Sequence, residues 1–134
     1  MKKIMSLAAI VVATSGLLVG GAAASQATTK NGVPETGEFV QWYYTGYSGG
    51  CEDDYSADTS FFDDYFKSCG FGTSGVGKVV ANNAESEYNY DYSYTAFPCT
   101  GVNYTGNCAG QPPRTGGNYN STYKNNAESL YWRL

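Results

Sequence analysis

Tyr47-Ser48-Gly49-Gly50-Cys51 is a Tyr-x-Gly-x-Cys sequence, and it returns in the second half of the chain as Tyr104-Thr105-Gly106-Asn107-Cys108. Asn82-Asn83-Ala84-Glu85-Ser86 returns residue for residue as Asn125-Asn126-Ala127-Glu128-Ser129. Both elements recur in the same order, which indicates a duplicated β-unit. The first copy is longer between its two elements, and its extra residues, 56–71, favour one short helical turn around Phe61, Phe62, Tyr65 and Phe66.

The residues around these elements indicate an all-β domain. Short aromatic or β-branched runs at 39–44, 76–80 and 130–132 are separated by Gly, Asn and Ser, and no long amphipathic helix is evident. A glycine after an aromatic residue suits a tight hairpin corner, because glycine adopts backbone conformations that other residues avoid. An Asn pair tolerates left-handed turn geometry, and a following Ser can tie the turn to the backbone.

These motifs resemble a known fold. Trp42-x-x-x-x-Tyr47-x-Gly49 resembles the aromatic corner that opens a βγ-crystallin Greek-key motif, and Asn-Asn-Ala-Glu-Ser resembles its closing Asn/Asp-Asn/Asp-x-x-Ser/Thr-Ser segment. The resemblance covers residues 38–134 and implies a disulfide-stapled sandwich of two Greek-key motifs, residues 38–90 and 91–134, with second-motif corners at Tyr104 and Gly106.

Within that superfamily, the chain is similar to the actinobacterial peptidase inhibitors typified by the streptomycete metalloproteinase inhibitor (inhibitor family thirty-six). The similarity rests on the Tyr-x-Gly-x-Cys step, the size and the N-terminal export signal described below. It implies a secreted inhibitor whose partner is an extracellular peptidase, with metallopeptidases as the first class to test. The alternative is a calcium-binding or structural extracellular crystallin-like protein without inhibitory activity.

The chain departs from the βγ-crystallin pattern in two places. Cys99 stands where the opening aromatic residue of the second unit is expected, five residues before Tyr104, and Phe97 is a nearby substitute. In the closing segments, alignment on the Asn pair puts Glu87 or Leu130 at the last position, whereas alignment on the Ser puts a glutamate in place of the first serine. Either alignment impairs a calcium site carried over from the motif.

Calcium nevertheless stays a candidate ligand, although no cofactor is required. Six residues supply hard oxygen ligands for two weak sites: Asn82, Asn83, Ser86, Asn125, Asn126 and Ser129. The alternative is that each Asn-Asn-Ala-Glu-Ser segment only forms a turn.

The N-terminus has the three parts of a secretory signal. Lys2 and Lys3 precede an apolar run over residues 4–19, and cleavage is expected after Ala24 or Ala27. A retained membrane anchor is the alternative, but the run is short and rich in Gly, Ala and Ser. We therefore expect a signal peptide at 1–27, a flexible lead-in at 28–37 and a single secreted domain at 38–134, monomeric and free of the membrane after cleavage.

Export predicts that the cysteines are oxidised and makes the net charge of the mature domain more negative. Cys51, Cys69, Cys99 and Cys108 all lie in the exported part, where oxidation is expected, and short loops favour the pairs 51–69 and 99–108 among three possibilities. All twelve acidic residues lie beyond residue 27, whereas two of the eight basic residues precede it, so the exported part carries a net charge of −6. An acidic domain repels phosphate backbones, which excludes nucleic acid as the expected partner.

The aromatic residues permit two interpretations. Tyr88, Tyr90, Tyr92 and Tyr94 alternate with polar residues, and a period of two places all four rings on one face of a strand. Burial in the core is favoured because a small domain depends on aromatic burial, and an exposed stripe that stacks on sugars is the alternative. A sugar platform at 42–44 is weaker, because alternation buries Trp42 and Tyr44 together.

An enzyme is not expected. The chain has no histidine, and oxidised cysteines supply no thiolate, so the usual bases and nucleophiles are missing. The acids at 52–54 and 63–64 could serve a glycosidase, but adjacent acids in loops rich in Gly and Ser are expected to be solvated. Two segments are candidates for an inhibitory loop. The first is the loop closed by Cys99–Cys108, with Thr100, Gly101, Val102 and Asn103 as its leading residues, and the second is the acidic region 52–64. The alternative is that the disulfide loop is only structural.

Overall fold

The computed structural model describes residues 29–134, so the predicted signal peptide lies outside the described residues. Seven strands and two short 3₁₀ turns make up the domain. The strands are β1 (Phe39–Tyr44), β2 (Ser48–Asp54), β3 (Ser86–Asn89), β4 (Thr95–Gly101), β5 (Thr105–Cys108), β6 (Gly116–Asn118) and β7 (Ser129–Arg133). The 3₁₀ turns are Phe61–Asp63 and Val102–Tyr104. All named strand pairs are antiparallel.

The second half of the chain contributes one strand to the first sheet, an arrangement typical of Greek-key motifs. The first sheet has the order β2-β1-β3-β6 and the second β5-β4-β7. β6 belongs to the second half of the sequence but pairs with β3 of the first half. In return, the first half of the chain contributes to the second sheet only a single bridge, between Asp58 and Leu130 of β7. The predicted all-β, two-motif Greek-key sandwich is therefore confirmed.

The main core lies between the sheets. It combines the first-sheet residue Phe39 with Ala96, Leu130 and Trp132 of the second sheet, and aromatic residues from the connections complete it: Phe61, Phe66, Tyr119 and Tyr123. A second cluster forms on the other face of β1, where Val40 and Trp42 pack against Cys51. β1 is thus buried on both faces, which explains why its sequence is apolar at successive positions.

The tyrosine row is not the predicted core strand. β3 ends at Asn89, and the chain then turns because Asp91 Oδ1 accepts hydrogen bonds from the N–H groups of Ser93 (2.7 Å) and Tyr94 (2.8 Å). Tyr92 is 69% exposed, whereas the intervening Asn89 and Asp91 are buried. Tyr88 and Tyr90 are partly buried against the second cluster and Tyr94 against the main core. Only the placement of all four rings on one strand face was wrong, because an aspartate-centred turn overrode the period-two pattern.

The strand predicted at 76–80 is also absent from the described fold, where only Val79 forms an isolated bridge, with Tyr65. Gly75, just before this run, and Gly77, within it, have φ of +80° and +83°, which interrupts an extended conformation. The expected helical turn in the insertion is present as the 3₁₀ turn Phe61–Asp63. In the 42–44 trio, Trp42 is buried and Tyr44 is 45% exposed, so these two rings are not buried together.

The described part of the lead-in, residues 29–37, is bound to the domain, which corrects its description as a flexible segment. Lys30 N donates to Asp53 O, and the N–H groups of Asn31 and Gly32 donate to the Asp53 carboxylate at 3.0 and 2.7 Å. Lys30 also forms ion pairs with aspartates of the first motif. A buried carboxylate needs such donors, and the lead-in supplies them.

Candidate functional site

The two Tyr-x-Gly-x-Cys elements form equivalent corners. Tyr47 and Gly49 have φ of +60° and +86°, and Tyr104 and Gly106 have φ of +63° and +77°. The Trp42 and Tyr47 rings lie edge to face with centroids 5.1 Å apart. In the second motif, Tyr104 packs instead on Tyr131, at 5.8 Å.

Phe97 does not take the place of the missing opening aromatic residue. Its ring stacks on Tyr131 at 4.8 Å, and it reaches the corner only through that ring. Cys99 occupies the position that Trp42 has in the first motif, because Glu85 N donates to Trp42 O and Glu128 N donates to Cys99 O. Trp42 lies opposite Cys51, and Cys99 lies opposite Cys108.

Each corner is closed by the serine of an Asn-Asn-Ala-Glu-Ser segment. Ser86 Oγ accepts from Tyr47 N (3.1 Å) and donates to Tyr44 O (2.6 Å). Ser129 Oγ does the same with Tyr104 N (3.0 Å) and Gly101 O (2.5 Å). Both serines are fully buried and use their hydroxyl groups on backbone atoms.

The four asparagines also bind protein atoms. Asn82 and Asn125 have left-handed φ of +62° and +54°, and each donates its backbone N–H to the opposite motif. Their side-chain amides donate to Glu128 Oε1 (3.0 Å) and Glu85 Oε1 (3.1 Å) respectively. The second asparagines close their own turns, because Asn83 Nδ2 donates to Val79 O and Ala81 O, and Asn126 Nδ2 donates to Thr122 O.

The six predicted calcium ligands therefore form two adjacent turns, and the two copies differ. Lys124 Nζ lies 3.6 Å from Glu85 Oε2, which neutralises the copy that contains Asn125. At the other copy, Asn82 Oδ1 is buried without a hydrogen-bond partner. That oxygen, next to Glu128, is the atom of the set best placed to accept a cation.

The hairpin of the second motif is stapled and exposed. Cys99 and Cys108 form the disulfide favoured from loop length, with Cα atoms 4.1 Å apart, as Cys51 and Cys69 do in the first motif, at 6.0 Å. Thr100 Oγ1 accepts from Asn107 N at 2.9 Å, and Thr105 Oγ1 donates to Val102 O at 2.6 Å. Residues 105–107 are exposed, although these bonds fix them to the rest of the hairpin.

The four predicted inhibitory residues do not form one extended segment. Thr100 and Gly101 end β4, whereas Val102 and Asn103 enter a 3₁₀ turn in which Asn103 has φ of +55°. Asn103 N donates to Thr59 O, which anchors this turn on the first motif. The exposed strand of the hairpin is β5, which follows the predicted residues and is itself irregular at Gly106, whose φ is +77°.

β5 also lies at an edge of its sheet. β2, its counterpart at the edge of the other sheet, is covered by the insertion, because Gly49 N donates to Phe71 O and Cys51 exchanges two backbone hydrogen bonds with Lys67. Among residues 29–134, no strand pairs with the outer side of β5. The second motif thus presents a short, stapled edge strand.

The acids of β2 are buried and not solvated, contrary to expectation. Glu52, Asp53 and Asp54 are each at most 1% exposed. Burial raises the pKa of Asp54 to about 8, and burial together with neighbouring Asp54 raises the pKa of Glu52. On β3, burial alone raises the pKa of Glu87 to about 8. Glu87 lines a cavity of about 150 Å³ together with Tyr119 and Tyr123.

Comparison with known proteins is informative only at the level of structure. No family model matches the chain, and no curated protein matches it significantly. A domain solved in work on the evolution of the eye-lens βγ-crystallin domain fold superposes with a TM-score of 0.58 at 14% identity, over 75% of this chain and 89% of its own. The fold is that of a βγ-crystallin domain.

A second similar structure is the crystal structure of the N-terminal domain of protein S. Its TM-score is 0.52 at 11% identity, over 72% of this chain and 94% of its own. At such identities the likeness establishes the βγ-crystallin fold alone. The fold predicted from the two repeated motifs is confirmed, and peptidase inhibition stays a hypothesis.

Sequence reasoning missed two features of this domain. The bare edge of β5 follows from the different length of the two motifs, and that length difference was visible in the sequence. The buried acids gave no such signal, because the residues that cover them come from distant segments, including Lys30 and Tyr119. Within residues 29–134, no helix is long and apolar enough to cross a membrane.

Proposed function

We propose that the protein is a secreted inhibitor of extracellular peptidases, with metallopeptidases as the first class to test. The observation that carries the proposal is the stapled hairpin of the second motif, whose edge strand β5 is exposed and has no strand partner in the described chain. Peptidase clefts bind extended segments by backbone pairing, and a rigid edge strand suits that mode of recognition.

The staple supports inhibition and not substrate turnover. The Cys99–Cys108 disulfide and the Thr100 and Thr105 side-chain bonds fix the hairpin before binding, so little conformational entropy is lost on association. A cut within the hairpin would leave both ends attached through the disulfide. The contact proposed here is centred on Thr105–Cys108, because these residues, unlike residues 100–103, form the exposed strand at the edge of the sheet.

The experiment is an inhibition panel with the purified protein against thermolysin-like and subtilisin-like peptidases. Near-stoichiometric inhibition of at least one peptidase is expected. Replacing both Thr105 and Asn107 by Lys places charges on the edge strand, which disfavours strand pairing, and should weaken inhibition about tenfold or more. Asn120→Lys with Ser121→Lys is the matched control, because these residues are exposed on a different turn. The absence of inhibition at micromolar excess across the panel would contradict the proposal.

A calcium-binding crystallin-like protein without inhibitory activity is the second candidate. It is favoured by one observation, the unpartnered Asn82 Oδ1 beside Glu128. Calcium at millimolar concentration should then raise the melting temperature, and Glu128→Gln should abolish the rise. Glu85→Gln is the control, since Lys124 already pairs with Glu85. An unchanged melting temperature in the wild-type protein would count against this function.

A further inference from the structure

The first motif contains a cluster of aspartates around a single lysine. Lys30 Nζ donates to Asp58 Oδ2 and to Asp64 Oδ1, the latter at 2.6 Å, and lies 3.8 Å from Asp54 Oδ1. The aspartates come from β2 and from the insertion, whereas Lys30 comes from the lead-in. Three chain segments thus converge on one point.

One lysine does not satisfy the cluster. Asp54 Oδ2 and Asp64 Oδ2 are buried without a hydrogen-bond partner, and the side chains of these residues are only 2% and 8% exposed. Glu52 lies against Asp54, and its Oε1 atom is likewise buried without a hydrogen-bond partner. Buried oxygens of this kind normally bind a donor or a cation, because desolvation without a partner is costly.

The cluster also has ligand geometry at its rim. Asp58, Asp63 and Asp64 each place one carboxylate oxygen within 4.8 Å of the others. Asp63 is exposed and Asp58 is half-buried, so the rim is open to solvent, while Asp64 contributes a buried oxygen that has no hydrogen-bond partner. A cation can therefore enter without unfolding the sheet.

We propose that Asp58, Asp63 and Asp64 form a divalent-cation site, backed by Asp54, in which Lys30 serves as the counter-ion until the metal displaces it. The all-oxygen ligand set selects a hard cation, and loop carboxylates of mixed exposure suit the flexible coordination of calcium better than the strict octahedron of magnesium. This site shares no residue with the Asn-Asn-Ala-Glu-Ser turns, and it does not depend on peptidase inhibition.

Displacement of Lys30 has a structural consequence. Lys30 ties the lead-in to the first motif, together with the bonds that Asn31 and Gly32 make to Asp53. Metal and lysine compete for the same two carboxylates, those of Asp58 and Asp64, so calcium binding loosens one attachment of the lead-in. The affinity for calcium is accordingly lower than the carboxylate count alone would give.

Calcium titration calorimetry on the purified protein tests the site, with sensitised terbium luminescence as a second readout. Asp63→Asn removes an exposed ligand with little risk to folding, and should weaken calcium binding about tenfold or more. Asp58→Asn combined with Asp64→Asn should abolish it. Glu128→Gln is the control for the Asn82 turn and should leave binding at the aspartate site unchanged.

Lys30→Met is the variant that separates this site from a general charge effect. It should strengthen calcium binding several-fold, because the competing ammonium group is gone. Lys124→Met is matched to it, since it changes the net charge equally but lies beside Glu85. The proposal is overturned if the wild-type protein binds no calcium at millimolar concentration, if Asp63→Asn binds as tightly as wild type, or if Glu128→Gln alone removes binding. Equal strengthening by both lysine variants would overturn the counter-ion role of Lys30.

Discussion

In the first motif Trp42 packs across from Cys51, whereas in the second motif Cys99 and Cys108 occupy the same two positions and are bonded to each other. Cys51 is thereby free to pair with Cys69, and that disulfide holds the insertion against β2. The same Greek-key corner is therefore stabilised by aromatic packing in one motif and by a covalent bond in the other.

The two motifs also differ in their edge strands and in the burial of their acidic residues. The first motif has a covered edge strand and the buried acids of β2. The second motif lacks the insertion, so its edge strand β5 stays bare and depends on the short disulfide loop for rigidity. A duplicated unit thus provides an acidic, enclosed half and an exposed, stapled half.

The largest expected effect comes from removing the aromatic packing of the first corner or the disulfide of the second. Trp42→Ala removes a ring that is 1% exposed and should lower the free energy of unfolding by about 3–5 kcal/mol. Cys99→Ser with Cys108→Ser opens a short loop and should cost about 2–3 kcal/mol. Urea denaturation of both variants measures the difference. A larger loss from the opened disulfide than from the missing ring would reverse this ranking of the two motifs.

A second contrast is Glu87 on β3 against Leu130 at the equivalent position of β7. A folded-state pKa of about 8 means that Glu87 holds its proton where the unfolded chain has lost it, so stability falls as the pH rises from about 4 towards 8. Glu87→Leu should raise the free energy of unfolding at pH 8 by about 1–4 kcal/mol and change it little near pH 4.

Melting temperatures at pH 5 and pH 8 provide the measurement. Leu130→Met is the control, because it changes the equivalent buried position without adding or removing a titratable group. The interpretation fails if Glu87→Leu and wild type lose the same stability between the two pH values.

The corner serines test whether the two motifs are equivalent where their sequences are identical. Ser86→Ala and Ser129→Ala each leave a buried backbone N–H and C=O without their partner, at a cost of about 1–3 kcal/mol. Their losses should agree within about 1 kcal/mol, since the bonds match one for one. Thermal or urea unfolding of the two variants measures both losses of stability. A clearly unequal loss would show that the insertion changes the first corner.

The smallest effect concerns the corner glycines. Both have positive φ, so alanine is strained at either position by about 1 kcal/mol. A Cβ at Gly49 would also meet Ser74 O, just beyond the insertion, at 2.8 Å, whereas at Gly106 it would meet the Thr100 hydroxyl at 2.4 Å. Gly49→Ala should cost more, because backbone gives way less easily than a side chain. Adding Thr100→Ala to Gly106→Ala should recover part of the loss, and no recovery would contradict the assigned clash.

Most of the fold could be predicted from the repeated motifs. A glycine two residues after a tyrosine, and an asparagine pair followed by a serine, have local reasons to form corners and turns, so they were readable without knowledge of distant contacts. The disulfide pairs followed from loop length for a similar reason. The roles of individual calcium candidates were less readable, because Asn82 and Asn125 bond to the opposite motif, and only the packing of the two motifs brings Glu128 and Glu85 to them.

By itself, the sequence determined the duplicated β-unit, its corners and the acidity of the domain, because these depend on neighbouring residues and on composition. The tertiary structure decided which acids are buried, that Lys30 lies among them, and which edge strand is left bare. These features depend on segments far apart in sequence, and their burial is set by the insertion that only one motif carries. The tyrosine row at 88–94 makes the same point: its alternation was clear, but a turn at Asp91 and the packing around it placed the polar residues inside.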